Sequence, residues 1–269
     1  MEISVVIPVF NGESIIKDNV ENLRNFLDKF FSSYEIVIVD DGSTDNTRAV
    51  LDSMSKKNLR ILSLEKNIGK YGAIAAGMAV CSGSCRVFTD ADLPYDLEAI
   101  PYLAKLINDR QIHIAIGDRT LRESEYFIHL PFIRNLATKA FSFFIAILVT
   151  GGLFDTQCGL KGFRSDVAKA LFPLLQEKGF SGDVQLLYIA LKYNLEIKRI
   201  PVRLRRKGPS TVQLFPQALK MFRRILMLRN NWRRGRYYSE ELIRISSQAY
   251  WKDIEKEEDS AKKPRMKQK

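Results

Sequence analysis

At 269 residues the chain is long enough to bury one substantial core, and a single larger α/β domain is the expectation for that length. An apolar fraction of 46% and a charged fraction of 27% exclude collagen-like, low-complexity and wholly disordered classes. The net charge of +11 is unevenly placed, because residues 197–239 carry 13 Lys and Arg and no acid, leaving 29 basic against 31 acidic residues elsewhere. In chain order, short apolar or β-branched runs at 3–8, 35–39, 60–63, 86–89 and 113–117 read as buried strands. Helical patterns at 14–31, 45–55, 70–81 and 97–109 lie between them, with Ser43, Thr44 and Asp45 able to cap the second. This βαβα rhythm predicts an α/β fold, a mainly parallel sheet flanked by helices on both faces.

The second half changes character. Residues 140–149 are nearly all apolar, too few to span a bilayer, which takes roughly 20. They read as either a buried or an interfacial helix. Residues 217–236 interleave Leu219, Phe222, Ile225, Leu226 and Trp232 with Lys220, Arg223, Arg224, Arg229, Arg233, Arg234 and Arg236. An apolar face beside a dense basic one predicts a C-terminal basic amphipathic helical extension that lies on an anionic membrane. Residues 1–235 are expected to form the main domain, and 236–269 a further helix and a charged, disordered tail. Cys81, Cys85 and Cys158 lack the spacing of a zinc site or a disulfide frame and read as reduced packing residues. Reduced cysteines make the cytoplasm the expected compartment, and with Glu2 charged and a strand starting at residue 3 no signal peptide is expected.

In open sheets of this kind ligands sit at the carboxyl ends of the strands, and Asp40-Asp41 and Asp90-Ala91-Asp92 both fall there. On a strand, side chains at i and i+2 share a face, so Asp90 and Asp92 would point at one cation while Ala91 turns inward. Oxygen ligands with room left for a diphosphate suit Mg²⁺ or Mn²⁺. Asn67-Ile68-Gly69-Lys70 precedes a helix rich in Ala and Gly that lets backbone approach a diphosphate, with Lys70 beside it. The glycine spacing fits neither a Walker loop nor a dinucleotide fingerprint.

Taken in order, several motifs resemble the family 2 glycosyltransferases, and more narrowly those that load a sugar onto dolichyl or polyprenyl phosphate. They are Val5-Val6-Ile7-Pro8-Val9-Phe10-Asn11-Gly12-Glu13, Val39-Asp40-Asp41-Gly42-Ser43-Thr44-Asp45, Thr89-Asp90-Ala91-Asp92-Leu93, Gly117-Asp118-Arg119, Asp155-Thr156-Gln157-Cys158-Gly159, and Pro201 to Ser210. The resemblance implies a GT-A fold across residues 1–235. It assigns Pro8, Val9, Asn11, Glu13, Asp40 and Asp41 to the base and ribose, and Asp90 and Asp92 to the metal. Arg119 and Arg134 would grip the acceptor phosphate, helped by the Thr138 hydroxyl. Asp155, Gln157 and Asp183 look like the family's active-site acids and amide, although Asp183 is also placed to cap the helix after it. Arg205, Arg206, Lys207 and Ser210 match a basic loop that closes on the donor diphosphate. At Pro94 the chain departs from the polar residue often found there, which puts a third protein ligand to the metal in doubt.

The reaction implied by the resemblance is an inverting transfer of a hexose from a nucleotide sugar of the UDP-glucose or GDP-mannose class to a polyprenyl phosphate. A hydroxyl acceptor is the alternative and would need a base, Asp183 or Asp155. A nucleic-acid-binding module would use the basic stretch but leave the strand-end carboxylates without a role, so nucleic acid is not an expected partner. The lipid acceptor implies work at the cytoplasmic face of a membrane, reached by peripheral binding or through an anchoring partner.

Overall fold

The computed structural model describes residues 1–109, 111–125, 151–153, 155–179, 181–205 and 227–247. Strands β1 (Ile3–Val9), β2 (Tyr34–Asp40), β3 (Leu59–Ser63) and β4 (Cys85–Phe88) alternate with helices α1 (Ile16–Phe30), α2 (Thr47–Asp52) and α3 (Lys70–Val80). After α4 (Ala99–Asn108) come β5 (Ile114–Asp118), β6 (Lys161–Arg164), α5 (Ser165–Leu171), α6 (Gly182–Lys192) and β7 (Ile197–Pro201). Among the described residues these seven strands form one sheet in the order β3-β2-β1-β4-β6-β5-β7. All pairings are parallel except those of β6, which runs antiparallel to both β4 and β5. The mainly parallel sheet flanked by helices is therefore present, and β6 and β7 are additions that the apolar pattern does not announce.

Side-chain alternation along the strands divides the core in two. Val5, Ile7 and Val9 of β1 join Val20, Leu23 and Leu27 of α1 and Leu103 and Ile107 of α4 on one face. Val6 joins Val37 and Val39 of β2 and Tyr71, Ile74 and Met78 of α3 on the other. Pro8 is tolerated in this central strand because β1 stops pairing with β4 at Val6, before the missing N–H would be needed. Helix α2 is shorter than the pattern over 45–55 suggests.

The core continues beyond residue 235, the expected edge of the main domain. Leu228, Tyr237, Leu242 and Ile245 are buried in the same cluster as α3 and α6. Trp232 stands edge-on to Tyr188 and Tyr193, at 6.4 and 5.4 Å between ring centroids. Its indole thus packs on protein, whereas the amphipathic pattern assigns it to a lipid surface. The apolar run 140–149 and residues 206–226 of the basic stretch lie outside the described residues. The three cysteines are buried and free, and burial pushes the Cys81 and Cys158 thiols up to about 11.

Candidate active site

β1 and β2 end side by side, with Val9 opposite Asp40. The loops beyond them are stitched together by the residues expected to meet the nucleotide. Asn11 Oδ1 accepts the Thr44 amide at 2.8 Å, and the Asn11 amide donates to Ser43 Oγ at 2.9 Å. Glu13 Oε2 accepts the Asn46 amide at 2.8 Å, supplying an acceptor at the open start of α2. Asp40 accepts the Ser43 amide at 3.0 Å. Asp41, almost fully buried, takes the amides of Ile68 and Gly69 at 2.8 and 2.9 Å. It therefore pins the loop entering α3, and any base N–H would share a carboxylate already bound to backbone. Gly42 and Gly69 carry the positive φ angles these turns require, +68° and +90°.

The Asp90–Asp92 pair differs from the strand reading. β4 ends at Phe88, and the acids lie in a turn closed by the Leu93 amide on the Asp90 carbonyl at 3.0 Å. Leu93 has a φ of +44°, and the Asn19 side-chain Nδ2 on α1 donates to the Ala91 carbonyl at 2.9 Å. The i, i+2 rule for strands does not apply, yet the turn keeps the two acids as electrostatic neighbours. Burial, and then the charge of Asp90, raise the Asp92 carboxyl above its ordinary range. Lys70 Nζ lies 2.5 Å from Asp90 Oδ1. Burial opposes the lysine's charge, but Asp90 and Asp183 outweigh it and hold the group above the usual lysine range. A Cβ on Gly159 would fall 1.9 Å from Asp90 Oδ2, so this glycine makes room for the carboxylate. Two crowded carboxylates answered by one lysine are a donor set that fits a hard divalent cation, which Asp90 and Asp92 could hold.

Deeper in the site, Asp183 accepts from the Tyr71 hydroxyl and pairs with the ammonium of Lys161. Lys161 is fully buried. Burial and Asp183 push the Tyr71 phenol well above its ordinary value, so it stays a donor. Gly182 is small because the Tyr71 ring occupies the space of its side chain, 2.2 Å from a built Cβ. Asp155 is gripped by Arg119 through Nε at 2.7 Å, Nη2 at 2.6 Å and the backbone amide at 2.8 Å. Burial alone would raise the Asp155 carboxyl, but the Arg119 contacts prevail and hold it below the usual range.

The structure thus gathers Lys70, Asp90, Asp92, Asp183, Asp155 and Arg119 around the strand ends. Gln157 is exposed in the same 155–159 segment. The Arg205 amide donates to the Pro94 carbonyl at 2.7 Å, so the entry to the basic loop is tied to the chain just after the acidic turn. Arg134, Thr138, Arg206, Lys207 and Ser210 lie outside the described residues. A cavity of about 420 Å³ lined by Lys192, Tyr193, Trp232 and Tyr237 lies apart from these side chains, and none of them lines it.

The model of "Glycosyl transferase family 2" matches residues 4–172, the stretch that carries both acidic motifs and Asp155. The chain belongs to that family. As a family 2 glycosyltransferase it is 31% identical to a dolichyl-phosphate beta-glucosyltransferase of Dictyostelium discoideum, over 84% of this chain and 73% of that protein. The enzyme of the same name from Homo sapiens is also 31% identical, over 91% and 80%. That of Saccharomyces cerevisiae is 30% identical over 87% and 76%. Among solved structures, glucosyl-3-phosphoglycerate synthase of Mycobacterium tuberculosis, in complex with Mn²⁺, UDP and glucosyl-3-phosphoglycerate, superposes with a TM-score of 0.57. At 20% identity, covering 84% of this chain and 77% of that one, it shows the shared GT-A fold. Tyr71, Lys161 and Gly182 stand beside the candidate site without belonging to any of the motifs, whereas Gly159 closes the Asp155–Gly159 motif.

Proposed function

We propose that this enzyme transfers a hexosyl group, glucosyl by the names of its relatives, from a nucleoside diphosphate sugar to dolichyl or polyprenyl phosphate. One observation carries the choice of acceptor: both carboxylates that could serve as a base are engaged by a cation. Asp155 is held by Arg119 and lowered in pKa, and Asp183 is paired with Lys161. A hydroxyl acceptor needs a proton removed as it attacks, and neither acid is disposed to take one. A phosphate monoester has its second pKa at about 6 and already offers an anionic oxygen at neutral pH.

In this reading an acceptor phosphate oxygen attacks the anomeric carbon in line with the departing diphosphate. The new carbon–oxygen bond forms as the bond to the diphosphate breaks, with inversion and no proton transfer. Asp90 and Asp92 would hold Mg²⁺ or Mn²⁺, which supplies positive charge for the leaving diphosphate when bound. Lys70 adds a fixed cation on the same side, and Arg205 leads into the basic loop expected to close over it. Arg119, oriented by Asp155, stands on the acceptor side, where Arg134 and Thr138 are proposed to join it. Pro8, Val9, Asn11, Glu13, Asp40 and Asp41 shape the nucleotide end, mostly by fixing the two loops. Gln157 is assigned to the sugar.

The protein would work peripherally at the cytoplasmic face of a membrane, on anionic lipid or beside an anchoring partner. Among the described residues no helix is long and apolar enough to cross a membrane. The test is a screen of UDP-glucose and GDP-mannose against polyprenyl phosphate and against free saccharides, monitoring release of nucleoside diphosphate. Glucosyl transfer to the lipid phosphate is the expected result. Turnover on a saccharide hydroxyl with none on the phosphate would give the reaction to the alternative acceptor.

A further inference from the structure

Lys161 is a charged side chain with no access to solvent, and the proposed transfer gives it no step. It lies on β6, where the Val87↔Gly162 and Phe88↔Lys161 pairs bring it beside the strand that leads to the acidic turn. Its ammonium has three partners. It pairs with Asp183, donates to the Cys158 carbonyl at 2.6 Å, and sits 5.5 Å from the centre of the Phe88 ring. A buried lysine is tolerated when its charge is matched and its donors find acceptors, and here Asp183 supplies the opposite charge while two oxygens accept from the ammonium.

These partners close a ring. Asp183 accepts from the Tyr71 hydroxyl, and Tyr71 is the chain neighbour of Lys70 at the start of α3. Lys70 reaches Asp90 at 2.5 Å. Asp90 rests against Gly159, whose added Cβ would clash with it, and Gly159 follows Cys158, the residue whose carbonyl Lys161 holds. Each member is linked to the next by a hydrogen bond, an ion pair, a close contact or a peptide bond. Lys161 is the one member joined to both halves, the 158–159 backbone on one side and Asp183–Tyr71 on the other.

We propose that Lys161 is a positioning residue: its buried ammonium closes the ring that fixes Lys70 against Asp90 and so sets the donor-diphosphate side of the site. The inference rests on the proposed function for the assignment of Lys70 and Asp90 to the diphosphate, and it is independent of which acceptor is used. A packing role alone would show in stability. A positioning role shows in nucleotide affinity after stability has been restored.

The experiment uses the full chain and calorimetric binding of UDP and of GDP with Mn²⁺, without acceptor, alongside thermal unfolding. Lys161→Met leaves Asp183 buried without its cation and should lower the Tm. Lys161→Met combined with Asp183→Asn removes both charges and should recover most of that loss. In this double variant nucleotide affinity should stay at least about tenfold weaker, the size expected when one charge-assisted contact is lost. Tyr71→Phe deletes only the hydroxyl link and should weaken binding in the same direction, by about threefold to tenfold. A double variant with parental Tm and parental nucleotide affinity would overturn the proposal and leave Lys161 a core residue. Activity of the parent on lipid phosphate or on saccharide decides the acceptor separately and does not enter this comparison.

Discussion

Gly159 touches Asp90 so closely that a single methyl group tests the acidic turn. In Gly159→Ala the new carbon cannot coexist with Asp90 Oδ2, and the neighbouring strand β6 leaves the backbone little freedom to retreat. The carboxylate must swing away from Lys70, and kcat/KM should fall by about 100-fold, the usual cost of misplacing a reacting group by about 1 Å. Steady-state kinetics with a Tm check separates this from unfolding. Asp92→Ala should abolish transfer and leave the fold intact, and chelation with EDTA should have the same effect on the parent. Full activity in EDTA would remove the metal from the mechanism. Asp155→Asn is predicted to act on stability as well, because Arg119 then loses its anionic partner in a largely buried place, at a cost of about 2–3 kcal/mol. The sign of its pH dependence comes from a lowered carboxyl. The stabilisation is complete above the ordinary carboxylate pKa of about 3.9 and is lost as the pH falls towards the depressed folded value. The Tm gap between parent and variant should therefore stay constant from neutral pH down to about pH 5 and close only in stronger acid.

At the scale of elements, the clearest revision concerns the chain after residue 226. The amphipathic pattern assigns Trp232 to a lipid surface, but its ring lies against Tyr188 and Tyr193 with the Lys192 ammonium 5.9 Å from its centre. Trp232→Ala should then lower stability by about 2–4 kcal/mol, as large-to-small changes in packed sites do, and leave vesicle binding unchanged. Vesicle binding that falls while the Tm holds would return the indole to the membrane. The pattern fails here because periodicity shows that a face is apolar without showing what covers it. The first four strands and their helices are legible for the opposite reason. Runs such as Ile36, Val37 and Ile38 are buried on both sides and leave one solution, a central parallel strand. β6 is hidden because Lys161-Gly162-Phe163-Arg164 has neither an apolar run nor a clean alternation, and it pairs with strands far away in the chain. The same holds for the site. Asp90 and Asp92 declare themselves by local spacing, although the element that unites them is a turn and not the expected strand. Lys161 reads as a surface residue until Asp183, 22 positions away, is placed on it.

For the whole molecule, the +11 charge and the lipid acceptor lead to one measurable property, reversible binding to anionic membranes. The described part of the basic stretch has a defined geometry. Leu228 and Trp232 turn inward from the helix over 227–233, and Arg229, Arg233, Arg234 and Arg236 are exposed. Among the described residues, Met227, Tyr238 and Ile243 are exposed large apolar side chains in this part of the chain. With the indole partly buried against Tyr188 and Tyr193, attraction to the membrane depends more on charge than the amphipathic pattern implies. Each Lys or Arg near an anionic surface contributes about 1 kcal/mol, and the effect fades within a Debye length of about 8 Å at physiological salt. Flotation with anionic liposomes should therefore be strong at low salt, weaken steeply as salt rises, and be absent with neutral liposomes. Arg229→Glu, Arg233→Glu and Arg234→Glu together should release the protein from anionic vesicles while transfer to a short, soluble polyprenyl phosphate persists, because the helix that carries Arg229 and Arg233, and that Arg234 follows, packs on Tyr188 and Tyr193 through Trp232. Equal flotation with neutral vesicles at high salt would show that apolar insertion dominates. Failure to float with either vesicle would leave an anchoring partner as the route to the lipid, and the charge cluster would then be the surface on which to seek it.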